Sequence, residues 1–164
     1  MKPSDTITAI ATPPGEGGVG IIRISGENAL GIAHKLFHPA SGLSPQEFPT
    51  QKVLFGEIRD PDTGQCADEV LLTFFKAPKS YTAEDVIEIN AHGGSWITAK
   101  ILALVLQQGA RLAEPGEFTR RAFTHGRLDL TQAEAVADVI ESASDQALNS
   151  ALSQLKGGLS RRLN

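Results

Sequence analysis

With 164 residues, of which 41% are hydrophobic and 21% charged, the chain has room for one packed core plus a smaller appendage, and its composition is that of an ordinary globular protein. No apolar run approaches the roughly 20 residues that a membrane-spanning helix needs, and Asp5 stands where an export signal would need its apolar stretch, so the expected location is the cytoplasm. A net charge of −4 and a pI near 5.5 give no global attraction to nucleic acid, and the lone Cys66 excludes an internal disulfide and a cysteine-based zinc site.

Thr6 to Ala11 and Gly20 to Ser25 read as two strands joined by a Pro- and Gly-filled loop. Ala29, Ile32, Ala33, Leu36 and Phe37 then fall on one helical face, and Pro39 stops that helix. The turn chemistry of Asp60-Pro61-Asp62-Thr63-Gly64, set between Lys52–Ile58 and Ala67–Phe75, predicts a β-hairpin. A strand over Val86 to Ala91 would put Ile87, Ile89 and Ala91 on one face and Val86, Glu88 and Asn90 on the other.

After His92-Gly93-Gly94, Ser95 is placed to cap a helix carrying Ile97, Ile101, Leu102, Leu104 and Val105, which Gly109 closes. This completes an α+β unit ending near Ala113. A short helix follows from about Gly116 to His125, closed by Gly126. The Thr131-x-x-Glu134 pattern then predicts the start of one long amphipathic helix, whose stripe runs from Ala133 through Val136, Ile140, Ser144, Leu148 and Leu155 to Leu159. Its apolar face has no obvious partner within the chain.

Among candidate chemistries, Gly15-Glu16-Gly17-Gly18-Val19-Gly20 satisfies GxGxxG, but these glycines lead into the strand Ile21-Ile22-Arg23-Ile24. A dinucleotide fingerprint must open a helix, so that reading fails. GxxxxGK[ST] does not occur, so this chain alone is not expected to hydrolyse GTP. His92-Gly93-Gly94 suits an anion-binding helix N-terminus, whereas an esterase reading lacks its GxSxG nucleophile. The histidines 34, 38, 92 and 125 are scattered, and no metal site is predicted.

Arg23 and Glu88 each interrupt an apolar strand. Such residues ordinarily mark a wet sheet face, but together they have a second use. A carboxylate accepts two parallel hydrogen bonds from an amino-pyrimidinone edge, and a guanidinium can hold the carboxylates of a glutamyl tail. Arg120, Arg121 and Arg127 form a basic cluster at the junction with the long helix, read either as a solvated turn or as a seat for a ligand carboxylate.

Several blocks in one order carry a resemblance. They are Ala11-Thr12-Pro13-Pro14-Gly15, Gly17-Gly18-Val19-Gly20-Ile21-Ile22-Arg23-Ile24-Ser25-Gly26, Tyr81-Thr82-Ala83-Glu84-Asp85, His92-Gly93-Gly94, Glu114-Pro115-Gly116-Glu117-Phe118-Thr119-Arg120-Arg121 and Leu128-Asp129-Leu130-Thr131-Gln132-Ala133-Glu134-Ala135. Together they resemble the N-terminal part of the MnmE (TrmE) family of tRNA-modification GTPases, over nearly the whole chain. The resemblance implies an α+β domain like the tetrahydrofolate-binding domains of aminomethyltransferases, over residues 1–118. Residues 119–164 would begin a helical domain into which a G domain is inserted.

It further implies homodimerisation, binding of a 5-formyltetrahydrofolate-type one-carbon donor, the flavoprotein MnmG as partner, and tRNA engaged through the full complex. GTP, magnesium and potassium would belong to the G domain, outside this chain. By position, Arg23 matches a folate-contacting arginine and Glu88 the glutamate that pairs with the pterin. Arg127 stands where the family often has lysine. None of the three is expected to act as a general acid or base. The alternatives are a dimerisation scaffold with a vestigial pocket and a stand-alone folate enzyme of the aminomethyltransferase or iron–sulfur-repair kind.

Overall fold

The computed structural model describes residues 5–44 and 47–157. The chain divides into two compact units, one comprising the described residues up to Ser80 together with Glu84–Glu114, the other Tyr81–Ala83 and the described residues from Pro115. The protein is α+β, and its sheet lies wholly within the first unit.

The first unit holds β1 (Ile7–Ile10), β2 (Val19–Ser25), α1 (Ala29–Leu36), β3 (Phe37–Pro39), β4 (Val53–Arg59), β5 (Cys66–Phe75), β6 (Val86–His92), α2 (Ser95–Gln107) and β7 (Arg111–Leu112). The strands form one seven-stranded sheet in the order β3-β4-β5-β6-β2-β1-β7. Every neighbouring pair is antiparallel except β1 with β7. The alternation in β2, β5 and β6 sends Ile22, Ile24, Val70, Leu72, Phe74, Ile87 and Ile89 into one core with Ile32 and Leu36 of α1 and Ile101 and Val105 of α2. Each of the large aliphatic chains there contributes about 1.5–3 kcal/mol by leaving water.

Some local expectations change. Phe37 begins β3 instead of extending the helix, which ends at Leu36 because the chain turns extended there and pairs Phe37 with Ile58. Ser95 is the first residue of α2 and not its cap. Gly94 holds the N-cap position without a side-chain hydrogen bond, and Thr98 Oγ1 instead donates to Gly94 O at 3.1 Å. Gly109, at φ +101°, follows the C-cap Gln108 as expected. In the β4–β5 turn, the Asp62 amide donates to the Asp60 carboxylate at 2.8 Å and holds that carboxyl below its usual range.

The second unit holds α3 (Glu117–Thr124), α4 (Leu130–Glu141) and α5 (Asp145–Leu155). The single long helix is overturned: Ser142 to Ser144 leave the helix, and Ser144 restarts it as an N-cap whose hydroxyl accepts from the Ala147 amide at 3.2 Å. Leu159, the expected end of the stripe, lies outside the described residues. The start of α4 differs too. Asp129 is its N-cap and closes a capping box with Gln132, two residues before the Thr131–Glu134 pair. Gln132 Nε2 also donates to Leu155 O at 2.9 Å, tying the start of α4 to the end of α5 in an antiparallel helical hairpin. The apolar stripe therefore finds part of its partner within the chain itself.

Two glycines are fixed by close approach. A Cβ at Gly20 would lie 2.2 Å from Thr98 Cγ2, and one at Gly93 would lie 2.2 Å from the Gly17 carbonyl oxygen. Gly20→Ala is expected to cost about 1–3 kcal/mol. Thr98→Ser removes the obstructing methyl while keeping the hydroxyl, and should restore most of that loss. Gly93→Ala, facing backbone, should have no such rescue, and urea unfolding of the three variants checks the pattern.

Candidate functional site

The pairing of β2 with β6 runs from Val19 opposite His92 to Ser25 opposite Val86 and sets Arg23 directly against Glu88. With a side-chain period of two, that register buries Ile22 against Ile89 and Ile24 against Ile87, and sends Arg23 and Glu88 to the face away from α1 and α2. Both side chains stay about a quarter exposed, at 26% and 23%.

The two residues predicted from sequence as separate ligand contacts bond each other. Arg23 Nε donates to Glu88 Oε1 at 2.9 Å, and Nη2 lies 2.8 Å from the same oxygen in an ion pair. Glu88 Oε2 has no partner among the described residues, so one acceptor oxygen of an oriented carboxylate is open.

The same unit carries polar pairings that sequence reasoning missed. Asp68 accepts the His92 amide at 2.9 Å through Oδ2 and the His92 ring Nδ1 at 2.7 Å through Oδ1. This arrangement makes Nδ1 the donor and turns Nε2 outward. Buried Ser25 donates to Glu84 Oε2 at 2.7 Å. Neither acid carries a sequence signal, since each pairing spans more than twenty residues. Val19, Val53, Phe55 and Leu71 lie on the face of Arg23 and Glu88 and remain exposed, Phe55 at 53% and Val53 at 63%.

The glycine loop and the N-terminus of α2 border a cavity of about 480 Å³, walled by Ile10, Thr12, Pro13, Pro14, Ser95 and Thr98. Glu16 also lines it, which opposes the anion-binding reading of His92-Gly93-Gly94. Gly17 donates its amide to Gly93 O at 3.2 Å, so here the glycine string serves close backbone packing.

Within the helical unit, the Arg127 guanidinium lies over the Tyr81 ring, 5.3 Å from its centroid, and the Tyr81 hydroxyl meets Thr119 Oγ1 at 2.8 Å. Both Arg127 and Tyr81 line a cavity of about 510 Å³ whose walls include Leu128, Val136, Ile140 and Leu155. The neighbouring arginines do not form a solvated basic turn. Arg121 is buried and donates to the equally buried Glu117 at 3.3 Å, and Arg120 approaches the same carboxylate at 3.6 Å. Arg127 belongs to the helical unit and the Arg23–Glu88 pair to the first.

Cys66 is at the surface, yet desolvation, then the Glu57 carboxylate, pushes its thiol above the usual range. Less thiolate is present at neutral pH, and Cys66 should react with iodoacetamide more slowly than an unperturbed cysteine peptide, as a mass-spectrometric time course at pH 7.5 would measure. For the Arg23–Glu88 pair, a double-mutant cycle with Arg23→Ala and Glu88→Ala in urea unfolding should return a coupling of about 1 kcal/mol.

The family described as "GTP-binding protein TrmE N-terminus" matches residues 6–127. The tRNA modification GTPase MnmE of Moorella thermoacetica is 55% identical over 97% of this chain and 34% of its own length. The proteins of the same name from Streptococcus pyogenes and Geobacillus kaustophilus are 52% and 50% identical, over 99% and 98% of this chain and 35% of their own lengths. The chain thus spans about a third of the length of these relatives. With a family match across most of its residues and an α+β sheet whose strands carry the matching blocks, the chain belongs to the TrmE N-terminus family.

Proposed function

We propose that this chain is the folate-binding and dimer-forming portion of a tRNA-modification GTPase, serving formation of 5-carboxymethylaminomethyl-uridine at the tRNA wobble position. The observation that carries the folate reading is the open face of the sheet, where Glu88 is held by Arg23 and its Oε2 has no partner among the described residues. A reduced pterin offers parallel N–H donors on its amino-pyrimidinone edge, and an ionised carboxylate is the matching acceptor. The residues present therefore fit the group. Bound there, a 5-formyltetrahydrofolate-type ligand would supply the one-carbon unit, and the protein would supply binding and orientation. Family resemblance adds Arg127 as a further folate contact.

GTP hydrolysis, with its magnesium and potassium, is assigned to the two thirds of the relatives' length that this chain does not span. That assignment agrees with a sequence lacking GxxxxGK[ST]. The proposed partners are the flavoprotein MnmG and, through the full complex, tRNA, in the cytoplasm. Among the described residues no helix is long and apolar enough to cross a membrane.

Homodimerisation is supported by a separate observation. Val19, Val53, Phe55 and Leu71 leave an apolar surface on central strands of the sheet, where a solvated antiparallel face is ordinarily polar. That surface also favours the rival reading, a dimerisation scaffold whose pocket has lost its ligand, and two measurements separate them. Isothermal calorimetry with 5-formyltetrahydrofolate should give saturable heat that Glu88→Ala abolishes; a folded dimer giving no heat would leave the scaffold. Sedimentation equilibrium should find a dimer that Phe55→Asp with Leu71→Asp converts to monomer.

A further inference from the structure

The direct bond between Arg23 and Glu88 changes what the arginine can do for a folate. A guanidinium that receives a glutamyl tail must offer the tail carboxylates an uncompensated charge and a free fork of N–H donors. Arg23 has committed its Nε–Nη2 edge to Glu88 Oε1, at 2.9 and 2.8 Å. The pair it forms is neutral as a whole, and any carboxylate approaching Arg23 also approaches the negative charge of Glu88. Glu88, by contrast, needs a cation. A flat heterocycle lying on this carboxylate strips water from it, and a desolvated carboxylate without a counter-charge is expensive.

We infer that Arg23 is a positioning residue: it acts through Glu88, orienting that carboxylate beneath the pterin, and does not grip the glutamyl tail. The geometry has the features such a role needs. The two residues are direct cross-strand partners, so the backbone register itself fixes their separation. Both guanidinium nitrogens approach Oε1, which leaves Oε2 for the ligand. The isoleucines on either side of each residue are fully buried, which anchors both side chains at their roots. Specificity follows from the same arrangement: the pair carries no net charge as a whole, so its open, oriented Oε2 favours an N–H donor of a heterocycle over a simple anion or cation.

This inference rests on the folate reading proposed above, and the test separates the two. The 164-residue chain is titrated calorimetrically with 5-formyltetrahydrofolate and with 6-methyl-5-formyltetrahydropterin, which lacks the aminobenzoyl-glutamate tail. Arg23→Ala should weaken both ligands by the same factor, about ten- to a hundredfold. In a Glu88→Gln background, removing Arg23 should add less than about twofold, because the arginine then has no carboxylate to act through. Arg23→Lys, which keeps the charge but replaces two converging donors with one centre, should fall between wild type and Arg23→Ala for both ligands, and it serves if the alanine variant unfolds in circular dichroism.

If Arg23→Ala weakens the complete folate and leaves the tailless pterin unchanged, the arginine holds the tail and the inference is wrong. Wild-type chain that binds neither ligand would instead remove the folate reading itself. A ligand-free readout stands apart from both: the Arg23 Nε–H resonance should exchange slowly with water and lose that protection in Glu88→Gln. Fast exchange in the wild type would show that the pair is not formed in solution and overturn the positioning role.

Discussion

Everything at the candidate site depends on the register between β2 and β6. A one-residue slip of β2 would send Arg23 into the core and expose Ile22 and Ile24, and a slip of β6 would do the same to Glu88, Ile87 and Ile89, because side chains on a strand alternate with a period of two. Magnitudes decide which interaction sets that register. A quarter-exposed ion pair contributes about 1 kcal/mol, whereas each fully buried isoleucine contributes about 1.5–3 kcal/mol. The two isoleucines of either strand therefore outweigh the charged pair several-fold. The acid and base are aligned by the core beneath them, and the site inherits its geometry from packing.

The glycine-rich stretch before β2 belongs to the same constraint. Gly20 sits where a methyl would strike Thr98, and Gly93 where it would strike the Gly17 carbonyl. The loop, the end of β6 and the first turn of α2 can close together only without side chains at these points. A string that matches a nucleotide fingerprint letter by letter is here a record of three backbones approaching one another. The distinction was available from sequence, because the last glycine leads into β-branched residues and not into a helix. What sequence could not supply was the partner of each glycine, since Gly93 lies more than seventy residues beyond the loop it packs on.

The same division between period and partner runs through the molecule. β2, β5 and β6 were legible because apolar residues alternate over lengths that helices do not produce. β3 and β7, with three and two residues, are too short to show any period, and they exist because their neighbours offer free edges. The long C-terminal stripe misled for the opposite reason. Its period continues through Ser144, but that serine satisfies an amide of the next helix and turns the chain there, so one uninterrupted apolar pattern serves two helices that fold against each other. Asp129 in place of Thr131 as the cap of α4 is a local competition between two valid boxes, and aspartate is the stronger capping residue.

Charge shows the limit most clearly. Arg23, Arg120, Arg121 and Arg127 are equivalent as letters, yet each meets a different fate. Arg23 is neutralised by a cross-strand acid, Arg121 is buried on Glu117, Arg120 reaches the same acid from the surface, and Arg127 lies on an aromatic ring. The Glu117 and Arg121 pairing is foreseeable, because residues four apart share a helix face. The pairing of Arg23 with Glu88 spans sixty-five positions and requires the register to be known first. A cationic residue near a binding site can therefore be found from sequence, but whether its charge remains available to a ligand is settled only by the acid that the fold delivers beside it.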